Sequence, residues 1–190
     1  MRARRQWATK WVGRMGAVHL GEDVLARARA GDQQAFAELV QAHQRVLWAV
    51  CLRITNNQHD AEDALQECLI AAWHHLDQFR GDSRFGTWIY RVAANAAIGV
   101  ARRRNRPVSL EDVHAVTPDV SDRVADVDRV RAALAKVPLA FRSALVLREI
   151  CDLTYEQIAV HEGINIQTVK SRISRARAHL RELLADDVAR

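Results

Sequence analysis

Cysteine is rare in this 190-residue chain: Cys51, Cys68 and Cys151 are three in number, widely spaced and without a C-x-x-C pair. That pattern argues against a disulfide framework and against a zinc site, and all three are expected to be small buried side chains. Long apolar runs are also missing. The longest uncharged stretch, residues 92–101, contains Asn95 and falls well short of the ~20 residues that span a bilayer. The N-terminus is basic but has no continuous apolar core, so it does not read as a secretory signal, and a cytoplasmic location without membrane insertion is expected. Proline and glycine are few, at three and eight, and no strict apolar alternation runs for more than a few residues. Apolar side chains instead recur at helical spacing, which makes the expected fold all-α.

Charge of one sign is absent from whole segments. The net charge is +5, from 28 Lys plus Arg against 23 Asp plus Glu. Residues 1–20 hold Arg2, Arg4, Arg5, Lys10 and Arg14 and no acid, so they account for the entire excess. This extension is expected to be a disordered arm, with Met15 as an alternative start. Residues 54–79 contain Asp60, Glu62, Asp63, Glu67 and Asp77 and no Lys or Arg, whereas residues 163–181 contain Lys170, Arg172, Arg175, Arg177 and Arg181 and no acid. Arginines crowd residues 102–106, and acids dominate 111–128. Blocks of opposite sign point to several different partners.

The periodicity predicts a short helix over 22–30 closed by Gly31. A second follows, capped by Asp32, with Phe36, Leu39, Val40, His43, Leu47, Val50, Cys51 and Ile54 on its apolar stripe and a stop at Thr55-Asn56-Asn57. A third helix starts near Asp60 with Leu65, Cys68, Leu69, Ala72, Trp73 and Leu76 on one face, and ends at the turn 80–83. A fourth covers 84–104 with Phe85, Trp88, Ile89, Val92 and Ala96 inward. Residues 107–121 carry Pro107 and Pro118 and no amphipathic stripe, as a linker does. Helices over 126–136 and 139–151, separated by Pro138, and a final pair from Thr154 complete the chain. The expected organisation is a basic extension (1–20), an N-terminal helical domain (21–106), a flexible linker (107–125) and a C-terminal domain (126–190).

Residues 155–174, YEQIAVHEGINIQTVKSRIS, have the spacing of a helix-turn-helix. Ala159 lets two helices approach, Gly163 permits the turn, and Ile158, Ile164, Val169 and Ile173 lock the pair. Thr154 and Gln157 form a capping box, and Asn165 caps the second helix. With Ile166, Val169, Ile173, Ala176 and Leu180 inward, Gln167, Lys170, Ser171 and Ser174 face outward near the helix N-terminus, where side chains reach base edges in the major groove. Arg172, Arg175 and Arg177 flank that face and suit phosphates.

In the N-terminal half, acids precede an apolar stripe beside Ala64 and Gln66, both expected to be exposed. Helix-dipole stabilisation accounts for Asp60 to Asp63 but not for Glu67 or for the missing cations of 54–79. Downstream, Phe79, Phe85, Trp88 and Tyr90 lie among Arg80, Arg84 and Arg91 with Ser83, Thr87 and Asn95. Rings beside cations and small polar groups are what unstacked bases require, although core packing alone accounts for Phe85 and Trp88.

DAEDALQECLIAAW, then FRGDSRFGTWIYRVAANAAI, then the 154–180 segment together resemble bacterial extracytoplasmic-function (ECF) sigma factors of the sigma-70 family, over roughly residues 22–184. The resemblance implies a subunit that directs core RNA polymerase to promoters and melts the minus-ten element. It assigns Asp60, Asp63, Gln66 and Glu67 to core binding, on the clamp helices of the largest subunit, and the flap of the second-largest subunit becomes a further contact. It places Phe79, Arg80, Ser83, Phe85, Trp88, Tyr90, Asn95, Arg102 and Arg103 at minus-ten DNA. Gln167, Thr168, Lys170, Ser171, Arg172, Ser174 and Arg175 fall at the minus-thirty-five element. An anti-sigma factor is a further expected partner, and no catalytic residue, metal or cofactor is implied. Gly99 and Ser174 depart from side chains common in the family, which bears on promoter sequence rather than on role. Two rivals remain: a free-standing helix-turn-helix regulator, which leaves the acidic helix and aromatic segment without a use, and an enzyme built on His74 and His75, beside which no ligand or nucleophile falls at suitable spacing.

Overall fold

The computed structural model describes residues 22–79, 81, 83–104 and 122–188. The basic extension 1–20, most of the linker, Arg80, Asp82 and Arg106 lie outside the described residues. Every regular element among the described residues is helical: α1 (Glu22–Arg29), α2 (Gln33–Thr55), α3 (Gln58–His74), a 3-10 turn (Leu76–Gln78), α4 (Phe85–Arg104), α5 (Asp122–Lys136), α6 (Leu139–Glu149), α7 (Tyr155–Glu162) and α8 (Ile166–Val188). No helix among them is long and apolar enough to cross a membrane.

The helix boundaries follow local hydrogen-bonding chemistry. Asp32 accepts from the backbone N–H groups of Gln34 and Ala35 at 2.9 and 3.1 Å, satisfying two orphan donors of α2. Asn56 then ends α2 in the left-handed region at φ 57°, a conformation that asparagine tolerates. The next residue, Asn57, caps α3 by accepting from the Asp60 N–H at 3.0 Å. This cap starts α3 at Gln58, slightly ahead of its expected start. The same helix ends at His74, before the expected turn, because the chain tightens into the 3-10 turn that buries Leu76. The last helices also shift. α5 begins at Asp122, inside the segment expected to be linker. α6 stops at Glu149, and Asp152 turns the chain at φ 52°.

The first half packs α2, α3 and α4 around Leu47, Val50, Cys51, Ile54, Cys68 and Ile89. Each large apolar side chain buried this way contributes about 1.5–3 kcal/mol. Ala61, Ala64 and Ala72 on α3 and Ala93, Ala94 and Ala97 on α4 are all fully buried. Ala64, expected to be exposed, therefore belongs to the contact where these two helices approach. The inward face of α4 is likewise wider than its expected stripe, since the helix is covered by α2 on one side and α3 on the other. Ile89 is buried as expected, the alanines take the closest approach, and Phe85, Trp88, Val92 and Ala96 lie half-buried along the margins.

In the second half, Leu147, Leu153, Ile158, Val169 and Ile173 are buried between α6, α7 and α8. The halves are not separate cores: α6 packs on α2 and α4, and the buried side chains of both join in one cluster. Cys51, Cys68 and Cys151 are free and buried within it. Burial raises their thiols to about 12, so they pack as small apolar side chains, as expected. Arg142 is buried near this junction. Its Nη1 donates to the carbonyls of Leu134 and Ala135 at 3.1 and 3.3 Å, which closes the C-terminal end of α5 with a cation.

Candidate nucleic-acid interface and docking face

The helix-turn-helix is built as its sequence dictates. Thr154 Oγ1 accepts from the Gln157 N–H at 3.2 Å, while Gln157 Oε1 accepts from the Thr154 N–H at 2.9 Å, which completes the capping box. Gly163 ends α7 at φ 65°, a left-handed conformation that favours glycine. Asn165 caps α8 by accepting from the Thr168 N–H at 2.7 Å and from its hydroxyl at 3.0 Å. Val169, Ile173 and Ala176 are buried beneath α8, leaving Gln167, Lys170, Ser171, Ser174 and Arg175 exposed. Ile166, expected to face inward, is instead 36% exposed in the first turn, because a residue that opens the helix precedes the point where α8 meets α7.

The arginines of α8 are less free than their expected phosphate role implies. Arg172 Nη1 donates to Glu162 Oε2 at 2.8 Å, and that carboxylate is largely buried. Arg177 donates to Glu149 at 2.5 Å, and Arg175 lies over the Phe141 ring at 5.8 Å. These contacts bind the flank of α8 to α6 and α7. Lys170 is exposed in the middle of the outward face.

On α3, Asp60, Asp63, Gln66 and Glu67 come together on one side. With Ile70, Val100, Arg103 and Arg104 they line a shallow concavity of about 440 Å³. Glu67 accepts from Arg103, and Asp60 from Arg104 at 2.7 Å. The acidic face therefore meets the basic end of α4 within the same molecule. Asp63 and Gln66 remain exposed beside Ile70, which is 60% exposed. The sequence reading missed Ile70 because it lies off the apolar stripe, where only an unsatisfied apolar surface marks it.

The aromatic segment is packed rather than displayed. Phe79 is 4% exposed. Its ring meets Phe85 edge-on at 6.0 Å and Trp88 at 5.5 Å, and Phe85 meets Trp88 at 5.6 Å. Tyr90 is half-buried, with its hydroxyl 2.8 Å from His43 Nδ1, and burial raises the phenol to about 12. Ser83 accepts from Arg91 at 3.4 Å, and Asn95 and Arg102 are exposed on α4, while Arg103 turns to Glu67.

A capped helix-turn-helix with a polar outer face, fused through a shared core to a helical unit carrying an acidic face and a cluster of rings, has the make-up of a helical DNA-binding protein with a second, charged face. Residues 39–107 match Sigma-70 region 2, and residues 128–180 match Sigma-70, region 4. The chain is 32% identical over 178 residues to the ECF RNA polymerase sigma factor SigW of Bacillus subtilis, covering 85% of this chain and 95% of that protein. It is 37% identical over 172 residues to the RNA polymerase sigma-H factor of Pseudomonas aeruginosa, covering 82% and 89%. Among solved structures it resembles CnrH in complex with the cytosolic domain of CnrY, with a TM-score of 0.63 and 29% identity over 86% of this chain and 96% of that one. It also resembles the sigma factor RpoE in complex with the anti-sigma factor NepR from Bartonella quintana, with a TM-score of 0.62 and 26% identity over 79% and 96%. The chain belongs to the ECF sigma factors of the sigma-70 family and acts as a subunit that directs RNA polymerase to promoters.

Proposed function

We propose that the three surfaces divide the work of initiation, in cytoplasm and without chemistry of their own. A region-2 domain over 21–106 carries core binding and minus-ten opening, and a region-4 domain over 126–190 carries minus-thirty-five reading, with 107–125 between them. Asp60, Asp63, Gln66 and Glu67, with Ile70 among them, form the face for the clamp helices of the largest polymerase subunit. The observation that supports this is their convergence on one concavity that combines exposed acids with an exposed apolar side chain, suited to a basic partner with an apolar patch. Lys170, Ser171, Ser174 and Gln167 read minus-thirty-five bases. Phe79 to Tyr90, Asn95 and Arg102 serve the minus-ten element. The flap of the second-largest subunit is the remaining polymerase contact, and an anti-sigma factor is a natural partner, since two structural relatives were solved bound to CnrY and NepR.

Run-off transcription with purified core polymerase and a randomised promoter library tests the whole reading. Selective initiation on promoters with two spaced elements is expected. Binding to duplex DNA with no effect on core polymerase would instead support a free-standing regulator. Glu67→Lys tests the docking face: it is expected to weaken core binding with the melting temperature kept, and unchanged affinity removes that assignment.

A further inference from the structure

His43 lies on α2, outside every segment assigned above to DNA or polymerase, yet its ring sits directly behind the aromatic segment. Its Nδ1 is 2.8 Å from the Tyr90 hydroxyl, and its ring meets Phe85 at 5.6 Å and Tyr90 edge-on at 5.5 Å. Gly86 lies against the same ring. A Cβ placed there would come within 2.9 Å of His43 Cε1 and 3.3 Å of Nδ1. Gly86 has no left-handed dihedral to justify it, so what it supplies is room for the imidazole.

These contacts hold three positions of α4, Phe85, Gly86 and Tyr90. Phe85 and Gly86 form the first turn of α4, and Tyr90 follows one turn later. Phe85 rests on Phe79, so the rings at the two ends of segment 80–84 lean on each other and then on His43. A purely apolar side chain would fill the same space without fixing direction. An imidazole bonded to a phenol sets the rotation of α4 about its axis through a directional contact. Burial holds the His43 pKa below its ordinary value of 6.5, so the ring stays neutral and adds no competing charge behind a surface that faces DNA.

We propose that His43 is a positioning residue for promoter opening: through Tyr90, Phe85 and the space left by Gly86 it fixes the first turn of α4, and with it the angle at which the rings of Phe79, Phe85 and Trp88 meet the strand to be unpaired. The proposal rests on the sigma-factor reading of that segment. A misplacement of about 1 Å in such a constellation costs on the order of tenfold to a hundredfold in rate, whereas binding surfaces elsewhere on the molecule are untouched.

The test uses the full chain with core polymerase on a promoter taken from the library selection. The promoter is supplied as intact duplex and again with the minus-ten element pre-opened by mismatches. His43→Ala, Gly86→Ala and Tyr90→Phe are compared with the conservative His43→Gln, and core affinity is measured alongside. His43→Ala and Gly86→Ala are expected to slow initiation on the duplex by about tenfold or more, with initiation on the pre-opened template and core affinity retained. Tyr90→Phe, which removes the hydroxyl bonded to His43 and keeps the ring, is expected to act in the same direction more weakly, and His43→Gln to recover most of the activity. Equal losses on both templates, or no loss on the duplex, overturn the positioning role. Failure of the unmodified chain to bind core or to initiate on either template overturns the sigma-factor reading of the segment instead.

Discussion

The two regions proposed to face DNA differ in how ready they are. The outer face of α8 is finished: capped at its start, buried only beneath, and exposed at Gln167, Lys170, Ser171 and Ser174. The aromatic segment before and along α4 is stored, with Phe79 buried and Phe85, Trp88 and Tyr90 half-buried against one another and against His43. The contrast fits the two proposed tasks. Duplex bases present fixed edges in the major groove, which a rigid helix can read as built. An unpaired base must be stacked and held, and exposed rings waiting for it would be a liability in a free protein. Packing the rings against one another and against His43 keeps them off open solvent and fixes the direction in which they lie.

Phe79→Ala tests that contrast most severely. If the ring is part of the stored cluster, its removal costs about 3 kcal/mol or more of folding stability, as for other buried aromatics, read by chemical denaturation. A variant that keeps its stability but fails to open promoters would mean that Phe79 is already presented to DNA, and the two regions would then be equally preformed. A smaller effect is expected at Arg172. Removing it leaves the largely buried Glu162 carboxylate without its cation and with only the Ser143 hydroxyl donating to it at 2.9 Å, at a cost of about 1–3 kcal/mol. If Arg172 instead serves phosphate, Arg172→Ala leaves stability alone and reduces the slope of log affinity against log salt by about 1. Lys170→Ala should show the opposite profile to Arg172→Ala. Its melting temperature is expected to stay unchanged, while preference for the selected minus-thirty-five duplex over a mismatched one falls about tenfold.

How far the sequence could be read follows the same division. The second half was legible because its signals are local. Thr154 with Gln157, Gly163 and Asn165 each act within a few residues, and each does what its spacing implies. The first half was legible in its helices but not in its surfaces. Ala64 reads as exposed until α4 is known to cover it, and Tyr90 reads as a free ring until His43, distant in sequence, is seen to bond it. Nor does the local pattern reveal that Arg103 and Arg104 meet Glu67 and Asp60, or that α6 joins both halves into one core. Such facts depend on which helices become neighbours, and periodicity along a single helix carries no information about its neighbours.

The smallest expected effect compares the halves through pH. His43 in the first half and His161 in the second are both held below the ordinary histidine pKa, His43 by burial and His161 by burial with Arg91 nearby. His161 Nε2 is also buried without a hydrogen-bond partner. In the unfolded chain both rings take up protons near 6.5. The folded state refuses those protons until lower pH, so the unfolded state binds more protons in this window and stability falls as pH falls. The loss should begin below about pH 6.5 and level off only once the folded-state pKa values are passed. Asp32, held low by backbone N–H groups and Arg27, loses its contribution only as pH falls below the ordinary carboxylate value. Denaturation curves between about pH 7 and 5 should therefore report the two histidines, and His43→Gln and His161→Gln should each flatten part of the slope. If only one of them does, the half that carries it is where the buried, neutral imidazole is costly in acid, and the comparison between the halves acquires a direction.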